Sequence, residues 1–450
     1  MREANGVMRK HRWLLVLALL VAALSLVAAG CGGDDEEAAD TTVEAATDAA
    51  TTEAAEDVSG SIKIAGLWTG GEAASFKAVL DGYREKYPDV KVTYQPAGED
   101  LPTILATSVE GGNPPDLASL SSPGVIKSFV DKGSLQPIDF ATDALAENYS
   151  ESFVDLTTFD GKTYGVVFKG ANKSTVWYNT KAFEDAGVEP PETWDAFLEA
   201  GETLKASGVT PYSIGAADGW TLTDLFENVY LRVAGAEKYN QLAAHEIPWT
   251  DPSVKDALTE MAKVFASDNI AGGTNSALQT DFPTSVTQVF TDPPKAAMVM
   301  EGDFVGTFIT TETKAKIGED ADVFTFPSIN DSPPVVVGAG DSIVMFKDSP
   351  AARAMITYLA SAEAAELWAK RGGFSSPNKN LDESVYPEDT TRKLASELAQ
   401  AETFGFDLSD LQPQALIDAM YTSLANFVKN PDDIDGVTGK LEAVAKKAYK

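Results

Sequence analysis

Between Ser61 and Leu120 the spacing of apolar residues changes period four times, and this constrains the fold more than any other feature of the chain. Ile62, Ile64 and Leu67 read as a strand, and Phe76, Val79, Leu80, Tyr83 and Tyr87 then recur at helical spacing. Val90, Val92 and Tyr94 alternate again. A second helix carries Leu101, Ile104 and Leu105, and after Gly111-Gly112-Asn113-Pro114-Pro115 a short apolar strand runs over 116–120. Strands alternating with helices predict parallel strands under helical layers, because crossovers of this length return the chain to the same sheet.

The same alternation continues downstream. Thr193 precedes a helix bearing Trp194, Phe197, Leu198 and Leu204 that ends at Gly208; Asp251-Pro252 and Ser349-Pro350 open two more. Each start has a side chain able to cap the free N–H groups of a first turn. Further strands are expected over 165–168, 175–178, 296–300 and 335–346. With no internal repeat, residues 60–450 read as α/β, and 450 residues call for two lobes.

The first thirty residues differ in kind. Arg2, Arg9, Lys10 and Arg12 face one acid, Glu3, and precede an apolar run over 13–27 that ends in Ala28-Ala29-Gly30. This pattern is that of a secretion signal, its rival being a membrane-spanning anchor. The chain's single cysteine, Cys31, follows at once, so no intrachain disulfide can form. The stretch Val27-Ala28-Ala29-Gly30-Cys31 resembles a bacterial lipobox, with Ala28 at the place usually held by leucine. That resemblance implies lipidation of Cys31 and attachment to the outer face of the cytoplasmic membrane. Residues 34–57 hold ten acids, no base and only Val43 as a larger apolar residue, and so are expected to form a disordered acidic tether over 31–57.

Charge excludes some functions. The leader carries +3, which places −36 of the total −33 on the remainder, a surface that repels nucleic acid. Histidine occurs only as His11 and His245, so no His-x-x-x-His zinc pair exists, and no metal or other cofactor is expected. No phosphate-cradling Gly-x-x-x-x-Gly-Lys loop and no Gly-x-Ser-x-Gly elbow is present. Paired carboxylates able to hydrolyse a glycoside stay open, since 68 acidic residues offer too many pairs to choose among.

Several segments together resemble family 1 extracellular solute-binding proteins of carbohydrate ABC importers. They include Tyr87-Pro88-Asp89-Val90, Gly112-Asn113-Pro114-Pro115-Asp116, Asp160-Gly161-Lys162-Thr163-Tyr164-Gly165, Trp177-Tyr178-Asn179, Pro190-Pro191-Glu192-Thr193-Trp194 and Gly302-Asp303-Phe304. The resemblance implies a two-lobed, type II periplasmic-binding-protein-like fold with a ligand cleft between lobes joined by hinge strands. Crossings are expected near 169–174, 334–341 and 375–379. Lobe 1 is expected over 58–170 and 335–376, and lobe 2 over 171–334 and 377–450. Trp68-Thr69-Gly70-Gly71-Glu72 and Gly219-Trp220 are most similar to glucose- or mannose-type members.

Site candidates follow, each with its alternative. Trp68 either lies against a pyranose or fills the core at a strand end. Glu72 accepts sugar hydroxyls or balances a helix dipole. Trp220 completes an aromatic sandwich or covers a loop edge. Asp341, Glu301 and Asp303 are cleft carboxylates or turn formers. Ser119 and Ser121 stand at the carboxyl end of a parallel strand, where open α/β sheets place ligands. Asn172, with Lys169 and Lys173, donates to hydroxyls or lines the hinge. Trp177, Trp194, Met298 and Trp368 read as core. The resemblance further implies a monomer that closes on a sugar, without catalysis, and delivers it to importer membrane subunits. The rivals are a tethered glycosidase using acids such as Glu72 and Asp341, and a binder of a non-sugar solute.

Overall fold

In a computed structural model of the chain, residues 58–400 and 404–450 are described. The leader, Cys31 and the whole of the acidic tether lie outside the described residues.

The opening segment folds as its periodicity requires. Gly60–Gly66 and Val90–Pro96 pair in parallel around the helix Gly70–Lys86, which buries Phe76, Val79, Leu80 and Tyr83. Glu72 sits in the first turn and Arg84 and Lys86 in the last, where the helix dipole favours each. The three expected caps form: Thr193, Asp251 and Ser349 accept from the backbone N–H groups of Ala196, Ser253 and Ala352.

Two sheets organise the lobes. The larger has six strands: Phe404–Phe406, Val336–Met345, Leu117–Leu120, Gly60–Gly66 and Val90–Pro96 in that spatial order, with Gly165–Asn172 also pairing Val336–Met345. It is mixed rather than all parallel, because Val336–Met345 returns antiparallel beside Leu117–Leu120. The strand expected over 165–168 extends to Asn172 because the second half of Gly165–Asn172 pairs with the Gly338-Ala339-Gly340 backbone. A four-stranded sheet, ordered Ala321–Thr325, Thr175–Asn179, Met298–Met300 and Tyr212–Ser213, forms the other lobe. The chain passes between sheets through residues 173–174 and 326–335, and an isolated bridge joins Gly170 to Ser375.

Each lobe has its own core. Phe76, Phe168, Trp368 and Phe374 anchor one; Trp194, Phe197, Phe226 and Tyr230 anchor the other, with Leu416, Met420 and Leu441 from the last two helices. Trp177, Trp194, Met298 and Trp368 are all core residues, each at most 2% exposed. Glycine permits close crossings: a Cβ on Gly340 would meet Val167 Cγ1 at 2.6 Å, and one on Gly124 would meet the Gln412 carbonyl at 2.2 Å.

Candidate functional site

A cavity of about 370 Å³ lies between the lobes, within the usual range for small-molecule sites. The larger sheet's lobe contributes Thr69, Glu72, Ser121 and Asp341, and the strand Gly165–Asn172 contributes Lys169. The opposite wall is aromatic: Trp220, Phe282, Phe304 and Phe308, with Trp220 and Phe282 rings 5.0 Å apart and Phe282 and Phe308 4.9 Å apart. The turn Asp407, Ser409 and Asp410 closes one end, with Tyr421.

Two buried lysines organise the polar lining. Lys169 Nζ lies 2.7 Å from Glu72 and 3.6 Å from Asp341. Burial disfavours its charge, but Glu72 and Asp341 outweigh that and raise its pKa above the ordinary lysine value. Lys173 bridges Asp224 at 2.9 Å and Asp407 at 2.5 Å; burial is again opposed by these acids, with a net raised pKa. Asp407 stays below the usual carboxylate range because Lys173, Ser409 and the Asp410 N–H together overcome its burial.

Behind this lining is a reserve of acids. Asp224, Glu227 and Asp407 come within 4.8 Å of one another, but Lys173 already stands among them as the counter-charge, so the group reads as a lysine-neutralised cluster. Burial lifts Asp224 to about 7, with Lys173 opposing. It pushes Glu301 well above its usual range, with Asp224 adding to the effect. Among the described residues, Asp224 Oδ2 and Glu301 Oε2 are buried without a hydrogen-bond partner, which fits carboxyls whose charge burial disfavours. Glu227 accepts from the N–H groups of Leu408 at 2.8 Å and Ser409 at 3.0 Å, and so fixes the turn that carries Asp407 and Asp410.

The structure sorts the expected site residues into two sets. Glu72, Ser121, Trp220 and Asp341 line the cavity, as do Lys169 and Lys173. Trp68 is corrected: its ring is fully buried against Phe76, Phe168 and Trp368, so no face is left for a solute, and the core alternative holds. Ser119 is corrected likewise, being fully buried with its Oγ accepting from the Leu67 N–H at 2.9 Å. Asn172, Glu301 and Asp303 also sit behind the surface. Asn172 donates its backbone N–H to Asp303 at 3.1 Å and accepts from the Ser174 N–H at 3.0 Å, which makes it a hinge brace. Asp303 is held by Ser375 and lifted to about 6 by burial; the turn at 302–304 sends its carboxyl inward and Phe304 to the cavity.

Sequence reasoning missed Asp218, Asp281, Phe282, Phe304, Phe308, Asp407, Ser409, Asp410 and Tyr421. Asp218 and Phe304 flanked residues already singled out. Nothing local distinguished Asp407, Ser409 and Asp410 from ordinary turn formers.

Residues 68–366 match the model of the bacterial extracellular solute-binding protein family, well over half of the chain. The chain belongs to that family. The osmoprotective compounds-binding protein GgtB of Synechocystis sp. is 32% identical over 381 residues, covering 82% of this chain and 89% of the relative. The alpha-glucosides-binding periplasmic protein AglE of Rhizobium meliloti is 34% identical over 400 residues, covering 85% and 86%. Among solved structures, the bacterial solute receptor AcbH superposes with a TM-score of 0.78 at 22% identity, covering 87% of this chain and 99% of the receptor. This last likeness concerns the fold, and it makes the two-lobed type II architecture explicit.

Proposed function

We propose that this binding protein captures a sugar in the cavity between its lobes and delivers it to an ABC-type importer while tethered through Cys31 to the outer face of the cytoplasmic membrane. One observation carries the sugar reading: the aromatic wall of Trp220, Phe282 and Phe304 faces the acceptors Glu72 and Asp341 across the cavity. A pyranose has the matching amphipathy, with C–H faces for rings and hydroxyl edges that donate to carboxylates. The name of AglE, an alpha-glucosides-binding protein, supports the same class. Contact with both walls at once is available only when the lobes approach, so solute binding favours closure.

Calorimetric titration of the full chain against mono-, di- and oligosaccharides, with small polar osmolytes alongside, tests this reading. Saturable binding of a sugar that is recovered unaltered is expected. Binding of none of the sugars would end the reading, and turnover of a glycoside would favour the tethered glycosidase. Attachment has its own test. Cells fed labelled palmitate are expected to label the chain and not its Cys31→Ser variant; equal labelling of both would remove the anchor.

A further inference from the structure

Six carboxyl groups line the cavity, those of Glu72, Asp218, Asp281, Asp341, Asp407 and Asp410, against two ammonium groups, Lys169 and Lys173. Burial, with Asp407 beside it, pushes Asp410 well above the usual carboxylate range and burial raises Asp218, so Asp410 is not counted as a charge and the acids still outnumber the bases. Neither ammonium is free to receive an anion. Lys169 is engaged by Glu72 and Asp341, and Lys173 by Asp224 and Asp407. The N-terminus of the helix Phe282–Phe290, a natural seat for an anionic group, is also filled from within. Asp281 accepts from the Thr284 N–H at 2.8 Å, and Asp218 from the Phe282 N–H at 2.6 Å. A carboxylate or phosphate entering here must displace an internal acid or stand unneutralised beside several, in surroundings where charges are poorly screened. Hydroxyl and amine donors meet carboxylate acceptors instead.

We propose, on the reading of this cavity as a sugar site, that it selects by charge, admitting neutral and amine-bearing polyhydroxylated solutes and excluding those that carry a carboxylate or phosphate.

Trp220 offers a test that works before the solute is identified. It lines the cavity, whereas Trp68, Trp177, Trp194, Trp249 and Trp368 are each at most 2% exposed. Collisional quenchers applied to the full chain carrying Trp13→Phe therefore report on the cavity. Caesium is expected to quench more effectively than iodide at equal ionic strength, each scaled to its effect on free tryptophan and to neutral acrylamide. Because the total charge of −33 repels iodide from the whole surface, a local comparison is required. Asp218→Asn with Asp341→Asn should narrow the asymmetry at least about twofold, while the exposed pair Glu85→Gln with Glu184→Gln should leave it unchanged. Equal access of iodide and caesium, or equal effects of the two double variants, overturns the proposal.

The second measurement uses whichever sugar binds. Its uronate and phosphorylated derivatives are expected to bind at least about tenfold more weakly, and its amino derivative within about tenfold. Equal affinity for the uronate overturns charge selection and leaves the sugar reading intact. Persistent quencher asymmetry with no sugar bound has the opposite meaning: the sugar reading fails and selection by charge stands.

Discussion

The indole N–H of Trp68 donates to Asp341 Oδ2 at 2.6 Å, tying a ring in the core of one lobe to a carboxylate in the wall of the cavity. Asp341 also feels Lys169 at 3.6 Å, so its orientation is set from two sides before any solute arrives. Trp68→Phe removes the donor and keeps most of the packing. The variant is expected to lose roughly 1–3 kcal/mol in urea unfolding and to bind its sugar about tenfold more weakly. Unchanged affinity would mean that Asp341 orientation does not matter for binding.

Trp220 differs because its ring forms part of the cavity wall itself. Trp220→Ala is expected to weaken sugar binding at least about tenfold while moving the unfolding midpoint little. Calorimetry on the variant decides; full affinity would remove the aromatic wall from the recognition surface.

Lys173 is the counter-charge for Asp224 and Asp407, both almost completely buried. Lys173→Met strands those carboxylates and is expected to cost about 3–5 kcal/mol of stability. Adding Asp407→Asn should recover part of the loss. A single variant as stable as the parent would show that the acids are neutralised by protons alone.

Stability should rise as pH falls from 8 towards 5. Asp224, lifted to about 7, and Asp303, lifted to about 6, bind protons in the folded state at a pH where the unfolded chain, with ordinary carboxyls near 3.8, has released them. Between the unfolded and the folded values the folded state holds more protons, so this contribution is fully present below the unfolded pKa and is lost progressively as pH rises to and through the folded pKa. Asp407 acts oppositely, but only below the ordinary carboxylate range. A thermal midpoint higher by several degrees at pH 5.5 than at pH 8 is expected. Glu301→Gln should flatten this dependence by removing a further carboxyl that burial raises well above its usual range. A midpoint that falls on mild acidification contradicts the raised carboxyls.

Gly71 stands where the lobes meet. A Cβ there would lie 2.9 Å from Thr311 Oγ1 and 3.0 Å from Thr307 Cγ2, both on the helix Val305–Glu312 of the other lobe. Gly71→Val is expected to hold the lobes apart, with a larger radius of gyration by X-ray scattering and a weaker sugar affinity. Scattering and affinity identical to the parent would place the closing contact elsewhere.

Much of the fold was legible because its signals are local. The alternation of Val90 and Val92, the helical spacing of Phe76 to Tyr83 and the caps Thr193, Asp251 and Ser349 each depend on neighbours within a few residues. Trp177, Trp194 and Trp368 announced themselves as core by apolar surroundings on the same element. Trp68 did not, since a tryptophan beside Gly70 and Gly71 at a strand end reads equally well as a wall or as core. Its burial depends on Trp368, three hundred residues away.

By itself, then, the sequence determined an α/β chain, because periodicity and caps are properties of short segments; its length and its resemblance to solute-binding proteins added the two lobes and pointed to the loops around Glu72, Trp220 and Asp341 as a candidate site. Only the tertiary structure decided which polar groups face the cavity and which brace it. Whether a side chain such as Asp303 turns inward, or Asp410 reaches a wall built some three hundred residues earlier, depends on contacts between elements that no local pattern encodes.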